Sequence, residues 1–329
     1  MKLLIALYHP FSLWTAPAWF DERLRMDFPG LTIVRLPGAK YEGFERELTD
    51  AEILLGWSLK PAQFAHAKKL RWIHSPAAAV HQLMYPEMAA SPVVITNARA
   101  VHAPVVAEHI LAVMLALAKR LPSAMRYQQA KTWAQETIWN ESPTLREVAG
   151  STVCVVGMGS IGTEFARRAQ ALEMHVIAVR EHPERGAEFA QEVVGTKELD
   201  TALPRADFVV LCAPVTPATR GMMNADRLLH MKKDAYLINV GRGTLVDDAA
   251  LIAALQGHHI AGAALDVFTE EPLPSDSPYW SLDNVLITPH TAALTDKLWE
   301  RHYRLVSENL RRFLSGEPLL YVVNKQRGY

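Results

Sequence analysis

Short apolar runs alternate with longer segments along most of the chain. β-type runs cover residues 2–8, 32–36, 52–56, 71–74 and 93–96, and a second series covers 152–156, 175–179, 208–212, 235–239, 260–265 and 285–288. The segments between the runs are long enough for helices, which predicts an α/β protein with parallel sheets and helices on their faces. The second series is continuously apolar, as expected of strands buried on both faces.

Two longer helical segments complete the pattern, at about residues 104–121 and 296–314, the latter ending before Gly316. The most apolar stretch, 105–118, is shorter than the ~20 residues that a bilayer span needs. It also contains Glu108 and His109. We therefore interpret it as a buried helix and expect no membrane partner.

Composition sets the domain number and the broad class. The 329 residues exceed the roughly 100 to 200 of one domain, so we expect two. A formal net charge of -1 with 21% charged residues gives no sign of a nucleic-acid partner. Cys154 and Cys212 both lie in apolar runs, so we expect no disulfide framework.

The apolar run 3–8 is too short for a secretory signal, and we expect a cytoplasmic protein.

A glycine turn follows the run 152–156 and opens a helical run at 163–172. A G-x-G-x-x-G pattern between a strand and a helix is typical of dinucleotide binding. The first glycine permits the turn, the second admits the pyrophosphate, and the third allows close helix–strand packing. A glycine turn without a ligand is the alternative. The candidate cofactor-binding residues here are Gly157, Gly159, Ser160, Ile161 and Gly162.

Three later segments follow predicted strands, where a doubly wound sheet places its ligand crevice. Arg242 offers a guanidinium, which pairs with a carboxylate or carbonyl through two parallel donors. His290 offers an imidazole, the group suited to proton transfer near neutral pH. Glu271 offers a carboxylate that can orient an imidazole and favour its protonated form. Together they fit the reduction of a 2-keto acid, with no metal expected, although each alone is equally typical of a surface charge or a turn.

With these motifs, the chain resembles the D-isomer-specific 2-hydroxyacid dehydrogenases over nearly its whole length. The most specific matches are 157–162, 207–219 with its Cys-Ala-Pro-Val-Thr-Pro core, 239–247, 262–272 and 288–293. The resemblance implies that Arg242 binds substrate, that His290 is the acid/base and that Glu271 is its partner. It implies an NAD(P)-dependent enzyme that reduces a small 2-keto acid, such as glyoxylate or hydroxypyruvate, with bulkier 2-keto acids next.

The resemblance also implies the architecture. We expect a flavodoxin-like α/β substrate domain over residues 1–100, completed by 292–329, and a Rossmann-type doubly wound parallel sheet as the cofactor domain over 101–291. The run 96–109 resembles the family's entry into a long helix that packs across a two-fold interface, which implies a homodimer. Asp266 is expected beside the nicotinamide, with a purely structural aspartate as the alternative. Further cofactor contacts are expected at Pro214, Thr219, Val240 and His290.

One departure from the family pattern concerns the loop after the run 71–74. The family usually has Ala-Gly-Val-Asp there, and its backbone N–H groups hold the substrate carboxylate. This chain has Ala78, Ala79, Val80 and His81. Alanine does not easily take positive φ, so the shape of the carboxylate pocket, at Ala78 and Ala79, changes. His81 either takes part in that pocket or is a hydrogen-bonded structural histidine, and we favour the second interpretation.

The cofactor preference depends on the end of the second strand of the dinucleotide fold. An acidic residue there accepts hydrogen bonds from the ribose 2′-OH of NAD. That position, 23 residues after Gly157, is Arg180. A guanidinium pairs with a 2′-phosphate and stacks on adenine, so the sequence predicts NADP(H) over NAD(H). A shift of one residue would instead bring Glu181 to the ribose.

Two other functions remain compatible with the same residues. A dinucleotide-sensing binding protein of the corepressor type could keep the triad, because fold does not fix function. We expect this less, since the chain lacks long disordered flanks and a basic face. A phosphoglycerate dehydrogenase with a regulatory extension is also less expected, because the sequence stops soon after its last helical segment.

Overall fold

The computed structural model describes residues 1–38 and 41–326 and divides into two compact units. Unit 1 comprises Met1–His102 with Leu294–Tyr329, of which residues 327–329 lie outside the described part, and unit 2 comprises Ala103–Ala293. The boundaries expected from the sequence were at 100/101 and 291/292. In the structure both boundaries lie two residues later, at 102/103 and 293/294.

Unit 1 is built on a five-stranded parallel sheet. The strand order is β2-β1-β3-β4-β5, the flavodoxin-like order, as the resemblance predicts. Apolar residues of the inner strands are almost wholly buried, which explains why their sequences predicted them well. The strands are β1 Lys2–Ala6, β2 Thr32–Arg35, β3 Ile53–Gly56, β4 Trp72–Ser75 and β5 Val94–Asn97.

Unit 2 contains a seven-stranded parallel sheet in the order β12-β11-β10-β9-β6-β7-β8. Read from β8, this is the Rossmann order with one further strand, so the predicted α/β fold class is confirmed. The sequence did not predict β8, which is four residues long, half-buried and at the sheet edge. The strands are β6 Thr152–Val156, β7 His175–Arg180, β8 Glu192–Gly195, β9 Phe208–Leu211, β10 Tyr236–Asn239, β11 Gly262–Leu265 and β12 Val285–Ile287.

The helices flank the two sheets. The last helix, α12, belongs to unit 1 and joins its core through Leu298, Tyr303 and Leu310. It ends at Gly316, which takes a left-handed conformation with φ of 72°. The α-helices are α1 Ala18–Asp27, α2 Phe44–Leu48, α3 Pro61–Phe64, α4 Pro86–Ala90, α5 Arg99–Ala118, α6 Leu121–Gln129, α7 Gln135–Asn140, α8 Ser160–Ala171, α9 Leu199–Ala202, α10 Ala225–His230, α11 Asp248–Gln256 and α12 Leu298–Ser315.

Helix α5 begins five residues before the predicted start at Pro104. Proline favours the first helical position, but Val101 and Ala103 are buried here, and packing extends the helix in front of it. The resulting 20 residues are long and apolar enough to cross a membrane, and half of the most apolar window is buried in the protein. The expectation that this stretch is too short for a span was therefore wrong.

Three histidines of unit 1 are buried: His74, His102 and His302. Burial lowers the pKa of His74 to about 3 and the pKa of His302 well below 6.5. Both rings are therefore neutral in the folded protein at neutral pH. The ring centroids of His102 and His302 lie 5.9 Å apart, so each would oppose a charge on the other.

This burial predicts acid-sensitive stability. An unfolded histidine takes up a proton near pH 6.5, whereas folded His74 does so only at about 3. The free energy of unfolding should therefore fall as pH drops below 6.5, by up to about 1.4 kcal/mol per pH unit for each such group. Urea denaturation between pH 7.5 and 4.5 checks this. The slope should shrink in His74→Asn and stay unchanged in His230→Asn, which alters an exposed histidine; an unchanged slope in His74→Asn contradicts the prediction.

Candidate active site

The glycine turn joins β6 to helix α8, the context that the sequence predicts. Gly157 has φ of +103°, and a Cβ there would lie 2.6 Å from the backbone N of Ala213. A Cβ on Gly162 would lie 2.2 Å from the carbonyl O of Gly157. Gly159, the N-cap of α8, faces open space, with no atom within 4 Å of an added Cβ. The turn thus packs tightly on two sides and leaves room in front of the helix N-terminus.

The loops at the carboxyl ends of the central strands contact one another through their backbones. A Cβ on Gly243 would lie 1.9 Å from the carbonyl C of Phe268, a distance that only glycine permits. The loop after β10 therefore lies directly against the loop after β11. These two loops carry Arg242 and Glu271, and the backbone contact therefore brings the two residues close together.

Arg242 sits on a loop shaped by Asn239, the last residue of β10. The Asn239 amide donates from Nδ2 to the carbonyl O of Arg242 at 3.0 Å, and its Oδ1 accepts from the N–H of Gly241 at 3.0 Å. The exposed Arg242 guanidinium donates from one nitrogen to the Gly241 carbonyl at 2.6 Å. Its other donors remain available for a planar anion.

Glu271 and His290 form the central pair. Oε2 of Glu271 lies 2.7 Å from Nδ1 of His290. The other carboxylate oxygen, Oε1, accepts from the backbone N–H of Phe268 at 2.9 Å, which fixes the carboxylate. The His290 side chain is 47% exposed, so its remaining nitrogen is open to a reactant. The structure thus brings together the two residues that the sequence chemistry had paired.

Asp266, which the family resemblance placed beside the nicotinamide, is buried and hydrogen-bonded to the backbone. Only 2% of it is exposed, and its carboxylate accepts from the backbone N–H groups of Thr291 at 2.8 Å and Ala292 at 3.0 Å. Its carbonyl O accepts from the N–H of His290 at 2.9 Å. These bonds favour the structural alternative, in which Asp266 supports the loop that carries His290.

The remaining cofactor candidates all follow strands of unit 2. Arg180 ends β7, and its guanidinium donates to the carbonyl O of Gly186. The hydroxyl of Thr219 closes a turn by donating to the carbonyl O of Pro214 at 2.7 Å. Val240 directly follows β10 and is 9% exposed.

The substrate-loop candidates lie in unit 1, after β4. Asn97 donates from Nδ2 to the carbonyl O of Ala78 at 2.7 Å. In the described part of the chain, the N–H groups of Ala78, Ala79 and Val80 have no hydrogen-bond partner. Ala79 avoids the left-handed region. His81 is exposed, and its side chain has no hydrogen bond to any described residue, contrary to the structural role that we favoured.

The sequence reasoning assigned no role to two polar side chains near the Glu271–His290 pair. The imidazole of His109, on α5, lies 3.2 Å from the hydroxyl of Thr288, which directly follows β12. A polar residue inside the apolar run 105–118 was the available signal, because a buried polar group needs a partner.

Comparison with known proteins agrees with this geometry. Residues 111–292 match the sequence profile of the NAD binding domain of the D-isomer specific 2-hydroxyacid dehydrogenases. The chain is 35% identical over 271 residues to a glyoxylate reductase of Pyrococcus furiosus, covering 80% of this chain and 78% of that protein.

Two solved structures are similar over the whole chain. A D-isomer specific 2-hydroxyacid dehydrogenase from Xanthobacter autotrophicus Py2, in complex with NADPH and MES, has a TM-score of 0.82 at 30% identity, covering 100% of this chain and 99% of that one. An NADPH-dependent glyoxylate/hydroxypyruvate reductase from Sinorhizobium meliloti, in complex with NADP and sulfate, has a TM-score of 0.81 at 28% identity, with the same coverage.

The chain therefore belongs to the D-isomer specific 2-hydroxyacid dehydrogenase family. It is an NAD(P)-dependent oxidoreductase that acts on the CH–OH group of 2-hydroxy acids. The glycine turn suits such a dinucleotide, because the space in front of Gly159 adjoins the N-terminus of α8, where N–H groups and the helix dipole favour a phosphate.

The tight side of the turn yields a stability prediction. Gly162→Ala should destabilise the protein by about 3 kcal/mol, because its Cβ meets a backbone oxygen that cannot move freely. The control Gly159→Ala should cost at most about 1 kcal/mol, since alanine is only a poorer N-cap. Thermal unfolding without cofactor distinguishes the two. Equal melting temperatures for the two variants would show that the turn is not packed as described.

Proposed function

We propose that this enzyme reduces a small 2-keto acid, such as glyoxylate or hydroxypyruvate, with NADPH. The observation that carries the proposal is the 2.7 Å contact between Oε2 of Glu271 and Nδ1 of His290. The loop that carries Glu271 lies directly against the loop that carries Arg242. A glyoxylate reductase and an NADPH-dependent glyoxylate/hydroxypyruvate reductase are among the similar proteins, which supports this substrate class.

The three side chains divide the work of the reaction. A bound reduced nicotinamide supplies the hydride for the carbonyl carbon of the keto acid. Nε2 of His290 donates the proton that neutralises the developing alkoxide, while Glu271 holds the ring through Nδ1. Arg242 anchors the carboxylate and polarises the carbonyl through its guanidinium. In the opposite direction His290 accepts the proton of the hydroxy acid.

The substrate carboxylate also takes backbone donors in this proposal. The adjacent N–H groups of Ala78 and Ala79 lack partners among the described residues, as in the anion-binding loops that consecutive N–H groups form. Because Ala79 replaces the family's glycine without entering the left-handed region, this loop reaches its conformation in another way. The side-chain amide of Asn97 fixes it through the Ala78 carbonyl.

NADP(H) is the proposed cofactor, with Arg180 as the residue that reads the 2′-phosphate. β7 ends at Arg180, the position expected for this residue, and Glu181 follows the strand as an exposed residue. A guanidinium is suited to pairing with a phosphate, and two similar structures hold NADPH or NADP. Gly157, Gly159, Ser160, Ile161 and Gly162 would hold the pyrophosphate, and Pro214, Thr219, Val240 and His290 the rest of the dinucleotide, whereas Asp266 would support the loop that carries His290.

We further propose a cytoplasmic homodimer. Helices α6 and α7 and the segment between them expose Leu121, Met125, Trp133 and Trp139, with 50%, 60%, 91% and 61% of each residue accessible. Trp133 and Trp139 line one surface concavity together with Leu145, and contiguous exposed apolar surface is typical of protein interfaces. A second copy of the chain is the occupant that the family resemblance implies.

The triad predicts distinct kinetic defects. His290→Ala should lower kcat by about 10²-fold or more with cofactor binding nearly intact, because proton donation is lost. Arg242→Ala should reduce kcat/KM most, because it both orients the substrate and stabilises charge. Steady-state reduction of glyoxylate, hydroxypyruvate, pyruvate and phenylpyruvate measures both, with the exposed His230→Ala as control. Near-parental turnover by His290→Ala would refute the proton-donor assignment.

The cofactor proposal predicts a reversal of preference. The parent should have the higher kcat/KM with NADPH, and Arg180→Asp should shift the ratio towards NADH, because a carboxylate repels the 2′-phosphate and accepts from a 2′-OH. Arg185→Asp tests a nearby exposed cation of the same loop. A parent that favours NADH, or a shift produced by Arg185→Asp alone, would exclude Arg180 as the phosphate-reading residue.

A further inference from the structure

A chain of polar contacts runs from helix α5 to the loop that carries His290. Nε2 of His109 lies 3.2 Å from Oγ1 of Thr288 and 3.7 Å from Oδ1 of Asp266. Oγ1 of Thr288 lies 2.6 Å from the same carboxylate oxygen. The His109 side chain is 16% exposed and that of Asp266 is 1% exposed, so water competes little for these bonds.

The direction of each hydrogen bond follows from the groups involved. The carboxylate of Asp266 can only accept, so the single hydroxyl proton of Thr288 points to it. Oγ1 of Thr288 must then accept from His109, which places the ring proton of His109 on Nε2. Burial lowers the pKa of His109, with the nearby Asp266 opposing that effect, which agrees with a neutral ring that donates.

The loop at the end of this chain needs such support. His290 has φ of +52°, a left-handed conformation that is unfavourable for a residue with a Cβ. Its N–H donates to the carbonyl oxygens of Asp266 at 2.9 Å and Thr288 at 3.0 Å. Asp266 and Thr288 thus hold both the backbone of His290 and the residues that follow it.

We propose that His109 is a positioning residue for the reaction, which fixes the imidazole of His290 through Thr288 and Asp266. The inference rests on the proposed proton transfer by His290. The polar contacts of His109 within the described chain are with Thr288 and Asp266, and it has no hydrogen bond or ion pair with Arg242, Glu271 or His290. It acts by keeping Thr288 oriented towards the carboxylate, so that the strained loop keeps one position.

Substitutions that delete or keep each donor test this role. His109→Leu and Thr288→Val remove the contact while keeping apolar bulk, and each should lower kcat about tenfold, because a small displacement of an acid from its reactant is costly. His109→Gln and Thr288→Ser keep a donor or hydroxyl and should retain most of kcat. KM for NADPH and for glyoxylate should stay within twofold of the parent. In His109→Leu/Thr288→Val the losses should not add, since both act along one path.

Thr152→Val, at the half-buried start of β6, is the matched control and should leave kcat unchanged. The proposal is overturned if His109→Leu and Thr288→Val lower the melting temperature but not kcat. It is also overturned if His109→Gln and Thr288→Ser lose as much kcat as these variants do. Either result would show that the contact is merely structural. If His109→Leu does not fold, the kcat ratio of Thr288→Val to Thr288→Ser decides. His290→Ala is assayed in parallel. If it is inactive while the other variants stay within twofold, the positioning role fails and the proposed function stands.

Discussion

Close backbone approach at the carboxyl ends of the unit 2 strands is the constraint on which the site depends. The loop after β10 touches the loop after β11 at Gly243, where a Cβ would lie 1.9 Å from the Phe268 carbonyl carbon. The glycine turn meets the backbone of Ala213 in the same way at Gly157. Side chains carried by these loops are therefore positioned by main chain. Their geometry depends less on flexible side-chain packing than on the sheet itself.

A second consequence of this arrangement is that support and chemistry are separated. Glu271 binds the imidazole of His290 directly, whereas Asp266 binds only the loop around it. Both carboxylate oxygens of Asp266 accept from backbone N–H groups, which fixes Asp266 to that loop. The exposed imidazole of His290, held by Glu271, is thus free to exchange a proton while the loop beneath it stays fixed.

Much of the fold could be predicted because buried parallel strands are continuous apolar runs. β6 occupies the predicted residues, and the other predicted strands differ from the structure by two residues or fewer at each end. β8 could not be predicted, because a short, half-buried edge strand has no such run. The start of α5 was misplaced because a local proline rule was overridden by the burial of Val101.

Some residues of the candidate site could be predicted from the sequence, and others could not. Arg242, Glu271 and His290 could be chosen from the chemistry that the reaction needs and from their places after strands. The roles of Asp266 and His109 could not, since they depend on which loop or hydroxyl each side chain meets, and those partners lie 22 or more residues away in sequence. The exposure of His81 could not be predicted either, because a histidine that follows a strand is found in both buried and exposed positions.

Unit 1 is discontinuous, and this affects how the protein emerges during synthesis. Helix α12 packs against Phe20 of α1 and Trp72 of β4, yet it is translated only after the whole of Ala103–Ala293. Unit 2 is continuous and can fold as soon as it leaves the ribosome. The first sheet must wait with an apolar face uncovered, in the interval when chaperones bind nascent chains. Slow decoding within Ala103–Ala293 would lengthen that exposure and favour aggregation over completion of unit 1.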